Sequence, residues 1–226
     1  MVLKSQALNV KSCSRLFKGV DFEVLGKTVR SVYGAASLDH GADCLSISGV
    51  IVAFLKGLGI SAKVVAGEAM WRVDGQHDGA VISHVESESP VVVMNTGQMG
   101  AQLRFHAWVE LNPAWFLDMT TYQFQLKMDR LDEVDGGNTP VTWKPDYLLF
   151  KHSDISTFNQ VQSSFSSGLF YYKIGGKVGE VAMNALKERE VDPIDVSVFS
   201  VAYHSFMSGD LGFLVGLCGS SKVYVY

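Results

Sequence analysis

LRFHAWVELNPAWFLDMT, residues 103–120, is the stretch on which the reading of this chain turns. Two runs rich in aromatic and β-branched residues flank Asn112-Pro113-Ala114, so the pattern predicts an antiparallel hairpin. Each arm carries one group at odds with its apolar neighbours, His106 on the first and Asp118 on the second. A buried imidazole is costly without a hydrogen bond, and a buried carboxylate needs a partner. A turn of three residues, Asn112 to Ala114, pairs Leu111 with Trp115 and sets His106 opposite Thr120. That puts His106 on the same face as Asp118, one diagonal step away. A turn one residue shorter or longer puts them on opposite faces. With the odd turn, each residue accounts for the other.

Working upstream, HGADCLSISGV (residues 40–50) raises a matching question about Cys44. The cysteine opens CLSISGVIVAFLKGLG, which is apolar on all sides rather than along one stripe, so a buried central helix is expected. Gly57 and Gly59 supply a stop. Asp43 and Gly41 are candidate caps, which puts Cys44 in the first turn. There the unpaired N–H groups and the helix dipole favour a thiolate and suit a developing oxyanion. Alone, a free cysteine is as readily a small core residue. The base and carboxylate on the hairpin shift the reading toward a nucleophile with a Cys44, His106 and Asp118 triad.

The rest of the chain frames that site. Residues 1–36 read as two helical segments split near Lys18-Gly19, and SAKVVAGEAMWRV, AVISHVE and PVVVMNT read as strands before the hairpin. Helices first and a strand meander afterwards predict an α+β fold, with an antiparallel sheet packed on the buried helix. YQFQLKMDRLDEV and GKVGEVAMNALKERE have helical character, and YLLF is a candidate strand. The expected organisation is a core over residues 1–152 and a mainly helical extension over 153–226 on the same domain. The insert at 74–100 holds His77 and His84 and reads either as a solvated hairpin loop or as a lid.

Composition narrows the function classes. A net charge of −4 gives no electrostatic basis for binding nucleic acid. No apolar run is long enough to span a membrane, and the start lacks a secretory h-region. Cys13, Cys44 and Cys218 form no CxxC pair, which fits reduced thiols and a cytoplasmic setting. His40 and Asp43 beside Cys44 make a poor zinc site, mixing hard and soft donors in one short loop, so no metal is expected. No nucleotide or dinucleotide fingerprint appears, so no cofactor is expected. His40 is placed at the rim of a substrate cleft, with Asp43 and Trp108 as further cleft candidates.

Three blocks in order, DCLSISGVIVAFLKGLGISAKVVAGE, HAWVEL and WFLDMT, resemble the transglutaminase-like thiol enzymes of the papain-like fold. The resemblance covers roughly residues 38–122. It implies a Cys44 nucleophile, His106 as general base and acid, and Asp118 as the group that orients the imidazole. It further implies acyl transfer through a thioester, with a peptide or small amide or ester as substrate, and among such layouts a cysteine peptidase or amidase. The chain departs from the pattern in its long insert, its short His-to-Asp connection and the lack of an evident upstream oxyanion donor. An arylamine N-acetyltransferase, which lacks support here because no Arg-Gly-Gly precedes the cysteine, and a non-catalytic binding domain on the same fold are the alternatives.

Overall fold

A computed structural model describes residues 17, 19–34, 44–76, 80–85, 91–95, 98–102, 105–112, 114–188 and 190–210. The first helix, α1 (Phe22–Tyr33), starts where Asp21 accepts hydrogen bonds from the N–H groups of Glu23 and Val24. Its partner in the predicted N-terminal pair lies outside the described residues. The second helix, α2 (Cys44–Gly57), is the apolar segment, with Ile47 through Val52, Phe54 and Leu55 buried. The turn after it closes at Gly59, whose φ of 77° is the left-handed conformation that a residue with a Cβ resists.

The main sheet is antiparallel and six-stranded. Its strands are β1 (Ala62–Arg72), β2 (Val81–His84), β5 (His106–Leu111), β6 (Trp115–Asp118), β7 (Leu148–Lys151) and β8 (Phe170–Ile174). A separate two-stranded sheet joins β3 (Val91–Asn95) to β4 (Gln98–Gln102). The remaining helices are α3 (Phe124–Asp135), α4 (Phe158–Ser163), α5 (Gly176–Glu188) and α6 (Pro193–Ser208). The architecture is α+β: helices pack on a curled antiparallel sheet.

Strand β1 organises the whole sheet. Its first half pairs with β5, from Ala62 opposite Leu111 to Gly67 opposite His106. Its second half pairs with β2 and β8. Gly67 also pairs with Ile174, so β5 and β8 lie on opposite edges of β1. Since Ala69 to Trp71 pair with both β2 and β8, β2 follows β5 along one edge. The insert is therefore not all solvated loop, because β2 completes the sheet next to β5.

Alternation along each strand divides the core in two. On one face Val64, Ala66, Ala107, Val109 and Leu117 pack against α1, α2 and α6. On the other, Val65, Ala69, Trp71, Trp108, Phe116 and Tyr172 pack against α3. The extension after residue 152 is not purely helical: it returns β8 to the edge of β1 and closes the second core. Among the described residues, no helix is long and apolar enough to cross a membrane.

Candidate active site

The hairpin forms in the predicted register. Leu111 pairs with Trp115, Glu110 with Phe116 and Val109 with Leu117. Asn112 adopts a φ of 46°, a left-handed turn conformation that asparagine tolerates, and its side chain accepts from Ala114 N–H at 3.2 Å. Continuing the ladder leaves His106 and Asp118 on one face, and His106 Nε2 lies 2.8 Å from Asp118 Oδ2. Both side chains are fully buried.

Asp118 is bonded on each oxygen. Its Oδ1 accepts from Thr120 N–H at 2.9 Å and from the Thr120 hydroxyl at 2.8 Å. Its Oδ2 accepts from the Tyr172 hydroxyl at 2.7 Å besides the imidazole. Tyr172 in turn accepts from Trp71 Nε1 at 2.8 Å. Burial alone pushes the carboxyl up, but the charge and hydrogen bond of His106, with those from Tyr172 and Thr120, hold it well below the usual carboxylate range. The same arrangement drives the Tyr172 phenol well above its usual value, chiefly through burial and the Asp118 charge.

The ring of His106 sits in an aromatic cage. Trp71 meets it edge-on at 4.8 Å between centroids, and Trp108 stacks on it at 5.9 Å. His84 lies 5.7 Å away. The sheet explains that neighbour: Gly67 opposite His106 and Ala69 opposite His84 make the two histidines successive on one edge of β1. Trp108, expected to line a substrate cleft, is fully buried and backs the imidazole from inside the second core.

Cys44 arrives from the other layer. Ser48, one turn further along α2, donates its hydroxyl to the Ala107 carbonyl at 3.3 Å, which pins the start of the helix beside the start of β5. Cys44 as a residue is half-buried. With Nε2 engaged by Asp118, Nδ1 is the imidazole nitrogen with capacity for the sulfur. It has no hydrogen-bond partner of ordinary geometry. Burial pushes the thiol up, but hydrogen bonding and charge from His106, then the Lys127 ammonium and the Ala107 backbone, bring it down overall. Burial pulls the imidazole down, and Asp118 and then Cys44 bring it up overall. Both shifts favour a thiolate beside an imidazolium. The two groups lie close enough to act on each other electrostatically without a hydrogen bond of ordinary geometry between them.

Of the residues singled out from the sequence, Cys44, His106 and Asp118 are brought together. His40, Asp43 and His77 lie outside the described residues, as do Cys13 and Cys218. Among the described residues no cluster of His, Cys, Asp and Glu is placed to hold a metal ion. Sequence reasoning missed Tyr172 and Lys127. The signal for Tyr172 was present in FYYKI, a short aromatic run between Gly168 and Gly175 that has strand character.

No family model matches the chain. No curated protein matches it either. A solved structure described as "The crystal structure of genomics APC5867" is similar to it at a TM-score of 0.49 and 18% identity, over 82% of this chain and 78% of that one.

Proposed function

We propose that this chain is a thiol-dependent acyl-transfer enzyme of transglutaminase-like type, acting as a cysteine peptidase or amidase. The observation that supports it best is the meeting of three separate elements at one point. Helix α2 brings the thiol, β5 the imidazole and β6 the carboxylate, with Asp118 on one ring nitrogen and the other left for Cys44.

The reaction follows from the groups present. His106 holds the thiol proton as an imidazolium, and Asp118 keeps the ring in the needed orientation. The Cys44 sulfur adds to the carbonyl carbon of an amide or ester. Unpaired N–H groups in the first turn of α2 are the natural donors to the resulting oxyanion. As the tetrahedral species collapses, the C–N or C–O bond breaks and His106 gives its proton to the departing amine or alcohol. Water then attacks the acyl-thioester while His106 takes one of its protons. The C–S bond breaks, the acid is released and the thiolate is restored. A thiol used this way must stay unoxidised, which suits the reducing cytoplasm.

Alkylation tests the reading directly. Treating the native protein with iodoacetamide at pH 6 and mapping the product by mass spectrometry is expected to label Cys44 at least tenfold faster than Cys13 or Cys218. The selectivity should vanish in His106→Ala. Equal labelling of the three cysteines in the folded wild type would sink the enzyme reading and favour a binding domain.

A further inference from the structure

Lys127 is the group whose position the triad does not explain. It lies in the second turn of α3, the helix that follows β6 almost directly, and its side chain is half-buried. The ammonium sits 5.4 Å from the centre of the Trp71 ring, the same ring that meets His106 edge-on at 4.8 Å. Among the described residues, no carboxylate lies within ion-pair distance of it and no hydrogen bond engages it. A half-buried ammonium that still reaches solvent is open to an arriving anion, and an indole face supplies only part of a counter-charge.

The shared Trp71 ring sets Lys127 on the imidazole side of the site, where the nearby anions are the Asp118 carboxylate and, when ionised, the Cys44 sulfur. Asp118 is already committed, because its oxygens take bonds from His106, Tyr172 and Thr120. The thiolate balances Lys127 only while the enzyme is free. Once the sulfur carries an acyl group its charge is gone, and the lysine faces the bound acyl chain with no partner.

We propose that Lys127 forms an anion-binding subsite beside the thiol, so that the substrate is an acyl compound or peptide carrying a carboxylate close to the carbonyl under attack. The carboxylate takes the place of the lost thiolate charge, which binds acidic substrates and discriminates against neutral and basic ones. This assignment rests on the thiol-enzyme reading above.

Two alkylating reagents of nearly equal size separate the two ideas. Iodoacetate carries a carboxylate and iodoacetamide does not. With either, the Cys44 sulfur forms a C–S bond and iodide leaves. The ratio of their rate constants, taken on the pH plateau where the thiol is ionised, removes any effect of Lys127 on the ionisation itself. The iodoacetate-to-iodoacetamide ratio for Cys44 is expected to exceed that of the urea-unfolded protein at least tenfold. It should fall to the unfolded level in Lys127→Gln and be retained in Lys127→Arg, each checked for native circular dichroism. A ratio unchanged in K127Q, with Cys44 still selectively labelled by both reagents, overturns the subsite and leaves the thiol enzyme standing. Failure of both reagents to prefer Cys44 in the wild type overturns the two together.

Discussion

At the residue scale, the His106–Asp118 pair is the most consequential contact in the molecule. Removing one member of a buried charged pair leaves the other without compensation, at a cost of about 3–5 kcal/mol. The dependence on pH follows from the two shifts. Asp118 is depressed in the folded state, so its contribution is present above the ordinary carboxyl value of about 4 and is lost as pH falls through the folded value. His106 is raised, so its contribution is full below about 6.5 and is lost as pH rises through the folded value. The urea midpoint of Asp118→Asn is therefore expected to fall furthest below the wild type between about pH 4 and 6.5, and the gap should narrow on either side. Tyr172→Phe isolates a second contact. It keeps the ring but strips a donor from Asp118 and an acceptor from Trp71, and equilibrium unfolding should register a loss of about 1–3 kcal/mol. A change within experimental error would mean that Thr120 and His106 satisfy the carboxylate on their own.

At the element scale, β1 is the strand on which the site is hung, and Gly67 is its tightest point. A Cβ built there would meet the Lys173 carbonyl oxygen at 2.0 Å, a separation that no backbone tolerates. Gly67→Ala must part β1 from β8, and with β8 goes Tyr172. A loss of about 1–3 kcal/mol or more is expected in denaturant unfolding, along with a drop in the alkylation rate of Cys44. Wild-type behaviour in both would show that the two strands can separate without penalty. The hairpin of β5 and β6 was legible in the sequence because its register depends on local chemistry: a three-residue turn, an asparagine able to go left-handed, and apolar alternation on both arms. The same holds for α2, whose uniformly apolar composition marks a buried helix. The neighbourhood of His84 and Tyr172 was not legible, since both positions come from pairings between distant segments. Nothing local in VISH or FYYKI says which edge of β1 either will occupy.

At the scale of the whole molecule, the segment after residue 152 is a structural part of the site and not an appendage. Phe199 and Tyr203 of α6 are buried in the first core beside α1 and α2, and the Tyr203 hydroxyl accepts from Asp21 N–H at 2.8 Å. Helix α5 lies so close to β1 that a Cβ at Gly179 would meet the Ala66 carbonyl oxygen at 2.8 Å. A chain ending at residue 152 is thus expected to lose cooperative thermal unfolding by circular dichroism, and a sharp transition in that fragment would contradict the single-unit reading. The hydrogen bond from Trp71 to Tyr172 spans 101 positions of sequence, and the one from Tyr172 to Asp118 spans 54. This separation gives the site an order in time. During synthesis the cysteine, the histidine and the aspartate all emerge well before the tyrosine that completes the aspartate's bonding. Until residue 172 is made, a nascent chain therefore carries Cys44 and His106 with the Asp118 carboxylate incompletely held. The finished arrangement around Asp118 requires β8, and its appearance should report that this strand has docked.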